Sequence, residues 1–208
     1  QAEELKGVVS VIVTPGGNTS QYPIELARLT PSVRLIQTVS AGTNQMDNVS
    51  LGELGIRIAN NGGGNAVAVA EHTIGLMVNT YRKMQLQFNS VKAGKWSGDI
   101  RSNWFSQAHE ILGKTVGIIG LGRIGSRVAK RLQGWECDIV YHDVVDIAED
   151  LRNQLHLTKL SKDELLKTSD VVTLHVPLNK ITHHMISDHE FDIMKPTAVL
   201  INACRGPV

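Results

Sequence analysis

Short, nearly continuous apolar runs alternate along this chain with stretches whose apolar residues recur every three or four positions. A strand covered on both faces has no polar side, so the runs predict buried parallel strands, and the three-to-four spacing predicts amphipathic helices. Val8 to Val13, Arg34 to Val39 and Ile56 to Ala59 are therefore expected as strands, with Ile24 to Leu29 and Ser50 to Leu54 as helices between them. Asn60-Asn-Gly-Gly-Gly64 breaks the pattern with turn residues. Val67, Ala70, Ile74, Met77, Val78, Tyr81, Met84, Phe88 and Val91 then continue at helical steps, which predicts one helix over 66–93, started by Asn65 and stopped by Gly94. Such a helix is roughly 40 Å long at ~1.5 Å per residue and suits a link between two domains. The polar stretch 95–110 has no period and is expected to be a crossing loop. A second alternation follows, with strands at 116–120, 139–143, 171–176 and 198–203 and helices at 124–133, 161–167 and 187–194. The fold class is α/β, a doubly wound parallel sheet in residues 65–208 (helix 66–93 included) and a smaller parallel layer in residues 1–64.

The second alternation opens on Val116-Gly-Ile-Ile-Gly120-Leu-Gly122-Arg-Ile-Gly125 and reaches Asp143 at the end of its second strand. A glycine pattern alone is weak, but here strand, turn, helix, second strand and terminal acid are all in place. Gly120 permits the strand-to-helix turn, Gly122 lets a pyrophosphate approach the backbone, and Gly125 allows close helix–strand packing. The anion would sit on the helix N-terminus, with Arg123 and Ile124 in the turn. Asp143 would accept hydrogen bonds from the adenosine ribose, and its charge would repel a 2′-phosphate, so NAD is expected over NADP.

Composition narrows the partners. Hydrophobic residues make up 42% of the 208, enough for real cores, and the net charge of +1 offers no field for nucleic acid or a membrane surface. No apolar run approaches the ~18 residues of a membrane span. Two cysteines, Cys137 and Cys204, make neither a disulfide framework nor a metal set, and the cytoplasm is expected. His183-His184 with His189 invites a metal reading, but no cysteine or carboxylate spacing supports it, and no metal site is expected.

Four stretches fall at ends of expected strands, where ligands bind in open α/β sheets: Ser40-Ala-Gly-Thr-Asn44, Gly62-Gly-Gly-Asn-Ala66, His175-Val-Pro177 and Asn202-Ala-Cys-Arg-Gly206. Arg205, held after an apolar strand by Gly206-Pro207, could grip a carboxylate and polarise a neighbouring carbonyl; a surface salt bridge is the competing reading. Cys204 has no histidine constellation to activate it and is expected to pack.

Together with Gly94-Lys-Trp96 and Gly113-Lys-Thr115, these stretches make the chain resemble the D-isomer-specific 2-hydroxyacid dehydrogenases, in family order to its last residues. The resemblance implies a Rossmann-type NAD-binding domain (65–208) and an incomplete, flavodoxin-like substrate-binding domain (1–64). It implies that Ala41 and Gly42 hold a substrate carboxylate through backbone N–H groups, that Asn61, His175, Val176, Pro177, Ala203 and Cys204 line the cofactor, and that Arg205 is catalytic. The implied reaction moves a hydride between nicotinamide and C2 of a small 2-hydroxy or 2-oxo acid. Thr38 stands where phosphoglycerate enzymes of the family usually carry an arginine, so an unphosphorylated acid is expected. The family's proton-transferring histidine and its glutamate lie beyond the Asn-x-x-Arg-Gly motif, and the chain closes at Val208, so activity is expected to need residues outside this sequence. Homodimers are implied through the long helix and residues 95–110. The competing readings are a non-catalytic NAD-sensing, corepressor-like module and a formate- or phosphite-type dehydrogenase.

Overall fold

The computed structural model describes residues 2–14, 22–43, 46–95 and 106–208. The chain divides into two compact units, Gln1–Asn65 and Ala66–Val208, a division one residue later than the sequence expectation. Asn44, Trp96 and most of the 95–110 stretch lie outside the described residues.

In the first unit, β1 (Ser10–Val13), β2 (Leu35–Thr38) and β3 (Arg57–Ala59) form a parallel sheet in that order. Helices α1 (Ile24–Leu29) and α2 (Asn48–Glu53) make the connections. The unit closes on Val13, Tyr22, Ala27, Val33, Ile36, Leu51 and Ile56. Burying a Leu or Ile side chain fully contributes roughly 1.5–3 kcal/mol, so this small cluster is the main cohesive force of the unit. Asp47 starts α2 by accepting the Ser50 N–H at 3.0 Å.

The second unit is a five-stranded parallel sheet, with β4 (Thr115–Ile119) at its centre and the order β6-β5-β4-β7-β8. Here β5 is Asp138–His142, β6 Leu157–Lys159, β7 Val171–Leu174 and β8 Val199–Asn202. Chain order reverses between β4 and β7, so their C-terminal ends flank the switch point where such sheets bind ligands. Alternate residues serve opposite faces. Val116, Ile118 and Val171 pack with α3 (Ala66–Tyr81) and α5 (Gly125–Leu132), while Ile119, Val172 and Leu174 pack with α7 (Lys162–Thr168) and α8 (Asp188–Ile193). All four β7 residues are buried, as a strand covered on both faces requires.

The single helix expected over 66–93 is corrected to two, α3 and α4 (Met84–Lys92), parted at Lys83, whose φ is +53°. The cause is competition for two carbonyls. His109 N–H bonds to Tyr81 O at 2.9 Å, and the Gln87 carboxamide donates to Arg82 O, so both leave the helical ladder. Two elements went unpredicted, α6 (Glu149–Gln154) and the edge strand β6. The helix is polar and has no buried residue, and the strand spans only Leu157–Lys159. No described helix is long and apolar enough to cross a membrane.

Candidate functional site

The C-terminal end of β4 is held at the backbone to both its neighbours, β7 and β5. His175 N–H bonds to Ile119 O at 2.8 Å and Gly120 N–H to His142 O at 2.9 Å. Gly120 turns the chain with φ +90°, and a Cβ there would stand 2.6 Å from His175 O, so both dihedral and space demand glycine. A Cβ on Gly125 would run into Gly120 O, which is how α5 comes so close to β4. At Gly122, by contrast, a Cβ would meet nothing within 4 Å, and the residue is exposed. No side chain caps the N-terminus of α5. An open, uncapped turn at a helix N-terminus fits a pyrophosphate.

Asp143 follows β5 and accepts the Leu121 N–H at 2.7 Å through Oδ2 and the Val145 N–H at 2.9 Å through Oδ1. The carboxylate is thereby fixed beside the glycine turn. Val144 and Val145 next to it are exposed. His175 is tied to Thr173, Nε2 to Oγ1, at 3.0 Å, and burial lowers its pKa to about 4. The imidazole is neutral at physiological pH and belongs to the packing of the crevice wall.

Beyond β8 the chain turns on Asn202. Its Oδ1 accepts the Cys204 N–H and its Nδ2 donates to Arg205 O, both at 2.9 Å. Arg205 is exposed, donates to Cys204 O at 2.8 Å, and has no carboxylate partner among the described residues. Ala203 is half-buried beside it. The Cys204 thiol turns inward, donating to Leu174 O at 2.8 Å and accepting the Val176 N–H at 3.2 Å. Burial pushes its pKa up, so it is not a thiolate nucleophile. Pro177 is exposed after Val176.

In the first unit, the turn after β2 has its carbonyls occupied from within. Thr38 Oγ1 donates to Ser40 O at 2.8 Å, Ser40 Oγ to Gly42 O at 2.9 Å, and Asn60 Nδ2 to Ala41 O at 2.7 Å. Among the described residues, the N–H groups of Ala41 and Gly42 have no acceptor. Two unpaired amides on one turn are what a carboxylate needs. Asn61 N–H reinforces the turn at Ser40 O, 3.2 Å away, and its exposed side chain lies against Gly64. A cleft of about 310 Å³, lined by Thr43, Asn48, Ile56, Ile58 and Asn60, adjoins the turn. Asn60 is a residue that sequence reasoning missed. Its signal was only a polar residue at a strand end.

His183 and His184 stack at 4.0 Å, and among the described residues no group of His, Cys, Asp or Glu is arranged to hold a metal.

Known proteins resemble this chain in sequence and in fold. The chain is 36% identical over 193 residues to a glyoxylate reductase of Thermofilum pendens, covering 91% of this chain and 56% of that protein. It is 34% identical over 184 residues to a D-3-phosphoglycerate dehydrogenase of Archaeoglobus fulgidus, covering 88% of this chain and 34% of that one. Its fold matches the crystal structure of D-lactate dehydrogenase from Aquifex aeolicus complexed with NAD and lactic acid, with a TM-score of 0.84 and 33% identity over 100% of this chain and 60% of that one. The chain thus spans little more than half the length of the glyoxylate reductase it matches. Residues 74–208 match the family described as D-isomer specific 2-hydroxyacid dehydrogenase, NAD binding domain, and the chain belongs to that family.

Proposed function

We propose that this chain is the cofactor-binding and substrate-orienting part of an NAD-dependent dehydrogenase for a small, unphosphorylated D-2-hydroxy acid or the matching 2-oxo acid. The observation that carries the reading is Arg205, an exposed guanidinium beyond the C-terminal end of β8 without a carboxylate partner among the described residues. When bound, NAD supplies the hydride acceptor, or as NADH the donor, at the nicotinamide. Gly120, Gly122, Arg123, Ile124 and Gly125 cradle the pyrophosphate, Asp143 takes the ribose, and Asn61, His175, Val176, Pro177, Ala203 and Cys204 line the cofactor. Ala41 and Gly42 take the substrate carboxylate on their amides. Arg205 orients the oxo acid and stabilises the charge that grows on its carbonyl oxygen as the hydride arrives. Thr38 supports an unphosphorylated substrate, being buried and bonded to Ser40 O, where a phosphate would want a cation. The glyoxylate reductase likeness points to glyoxylate, with hydroxypyruvate and lactate as further candidates.

The test is NADH oxidation by the intact protein with glyoxylate, hydroxypyruvate and pyruvate, against Arg205→Ala. Removing a group that acts on the transition-state oxyanion costs about 100-fold or more in turnover. Near-normal rates in that variant would refute the assigned role, and turnover of formate or phosphite alone would replace the substrate class. The same reading pairs two copies through α4, whose Met84, Leu86, Phe88 and Val91 are each at least 50% exposed. It places the enzyme in the cytoplasm, where the free thiols of Cys137 and Cys204 stay reduced.

A further inference from the structure

We propose that Cys204 is a positioning residue, its thiol pinning the Arg205 turn to the end of β7 and so fixing the arginine relative to the Val176–Pro177 wall of the cofactor crevice. The proposal rests on the substrate role given to Arg205. The last paired residues of β7 and β8 are Leu174 and Asn202. Past them the strands part, because the Asn202 carboxamide folds the chain over Cys204 and Arg205. The backbone ladder therefore stops with a carbonyl at Leu174 and an N–H at Val176 still to be satisfied. One thiol satisfies both, donating to Leu174 O at 2.8 Å and accepting from Val176 N–H at 3.2 Å. A side chain thus replaces the next rung of the sheet.

The consequence is geometric. Asn202 sets the internal shape of the turn, while the thiol sets where that turn stands against β7. Arg205 Nη1 rests on Cys204 O, the carbonyl of the pinned residue itself, so any shift of Cys204 moves the guanidinium with it. A hydroxyl can make the same pair of bonds from the same position. A methyl group can make neither, and it leaves two backbone groups to find water at the edge of the crevice.

Three variants of the intact protein decide the matter, with glyoxylate kinetics, NADH affinity by fluorescence and thermal unfolding recorded for each. Cys204→Ala is expected to raise KM for glyoxylate about 10-fold and to lower kcat by about the same factor, the signature of a misplaced group that both orients the oxo acid and meets its transition-state charge. Cys204→Ser is expected to restore KM to within about 3-fold, which a merely volume-filling cysteine would not predict better than alanine does. Unchanged KM in Cys204→Ala, with turnover lost in Arg205→Ala, would overturn the pin and leave the arginine's role standing. Unchanged turnover in Arg205→Ala would overturn that role and the pin with it. Equal impairment of the Ser and Ala variants would also overturn the pin, because the paired hydrogen bonds would then be irrelevant.

Discussion

Replacing Gly120 or Gly122 by alanine adds the same methyl group two residues apart, yet the structure assigns the two changes opposite consequences. At Gly120 the new Cβ would stand 2.6 Å from His175 O, whereas ordinary contact begins at 3.4 Å, so the ends of β4 and β7 must part by about 0.8 Å. Overpacking of that kind costs about 1–3 kcal/mol. The φ of +90° is also one that L side chains rarely adopt, which adds roughly 1–3 kcal/mol. Together they amount to about 2–6 kcal/mol, and at about 2–4 °C per kcal/mol for a chain of this size the melting temperature should fall by roughly 4 °C at the least. Gly122→Ala meets no atom within 4 Å and no positive φ, so the fold should melt within about 1–2 °C of the parent. Its methyl would instead occupy the approach of the pyrophosphate, and the Kd for NAD should rise at least about 10-fold. Thermal unfolding and titration of NAD against intrinsic fluorescence read the two effects separately. Gly122→Ala binding NAD normally would refute the pyrophosphate placement, and an unshifted melt for Gly120→Ala would refute the claim that glycine is required between β4 and β7.

Three other outcomes are expected. Asp143→Asn should weaken NAD about 10-fold and narrow the preference over NADPH, since hydrogen bonds to a charged group are worth ~1.5–3 kcal/mol; tighter NADPH than NAD binding by the parent protein would contradict the role of Asp143. The pKa of His175 is depressed to about 4 by burial, so below 6.5 the unfolded chain takes up a proton that the native state refuses, and stability should decline as pH falls from 6.5 toward 4. His175→Gln should flatten that part of the urea-unfolding profile, and an unchanged slope would count against a buried neutral imidazole. Burial raises the Glu190 pKa, but hydrogen bonds from Lys162 Nζ at 2.5 Å and from the Ser187 hydroxyl and N–H outweigh it and hold the carboxyl down at about 2. Its stabilising contribution is therefore present above 4.5 and lost as pH falls toward 2, and Lys162→Met, which strands a buried charge, should cost roughly 2 kcal/mol or more at neutral pH by chemical denaturation.

The dinucleotide half of the molecule was legible in the sequence because its requirements are local. Apolar runs such as Val171–Leu174 report burial on both faces, and the spacing of Gly120, Gly122 and Gly125 reports a turn. What was not legible depends on partners remote in the chain. The break after Tyr81 needs the N–H of His109, 28 positions on, to take the Tyr81 carbonyl, and apolar periodicity runs straight through it. Asn60 reads as one more polar turn residue until its carboxamide is seen on Ala41 O, 19 residues away in sequence. Cys204 was expected to pack, but the two backbone groups that its thiol bonds carry no sequence signal, since any small residue fits the pattern. Strand β6 escaped notice because an edge strand of Leu-Thr-Lys carries too little apolar contrast to register.

The two ends of the five-stranded sheet are built to different rules, and the difference supports placing the proposed chemistry at one of them. At the N-terminal end, Asp170 satisfies its charge internally. It accepts the Thr115 N–H at 2.9 Å and the Lys195 ammonium at 3.0 Å, while its own carbonyl accepts the Tyr81 hydroxyl at 3.2 Å. Acid, cation and phenol close on one another and lock α3, β4, β7 and the approach to β8. At the C-terminal end the polar side chains bond chiefly to backbone. Asp143 holds Leu121 and Val145, Asn202 holds Cys204 and Arg205, and Cys204 holds Leu174 and Val176. These bonds fix loops in place without neutralising the uncapped N-terminus of α5 or the guanidinium of Arg205. That end leaves a helix N-terminus and a guanidinium uncompensated beside the Asp143 carboxylate, and under the proposed function these are the groups that an anionic dinucleotide and a carboxylate substrate would meet.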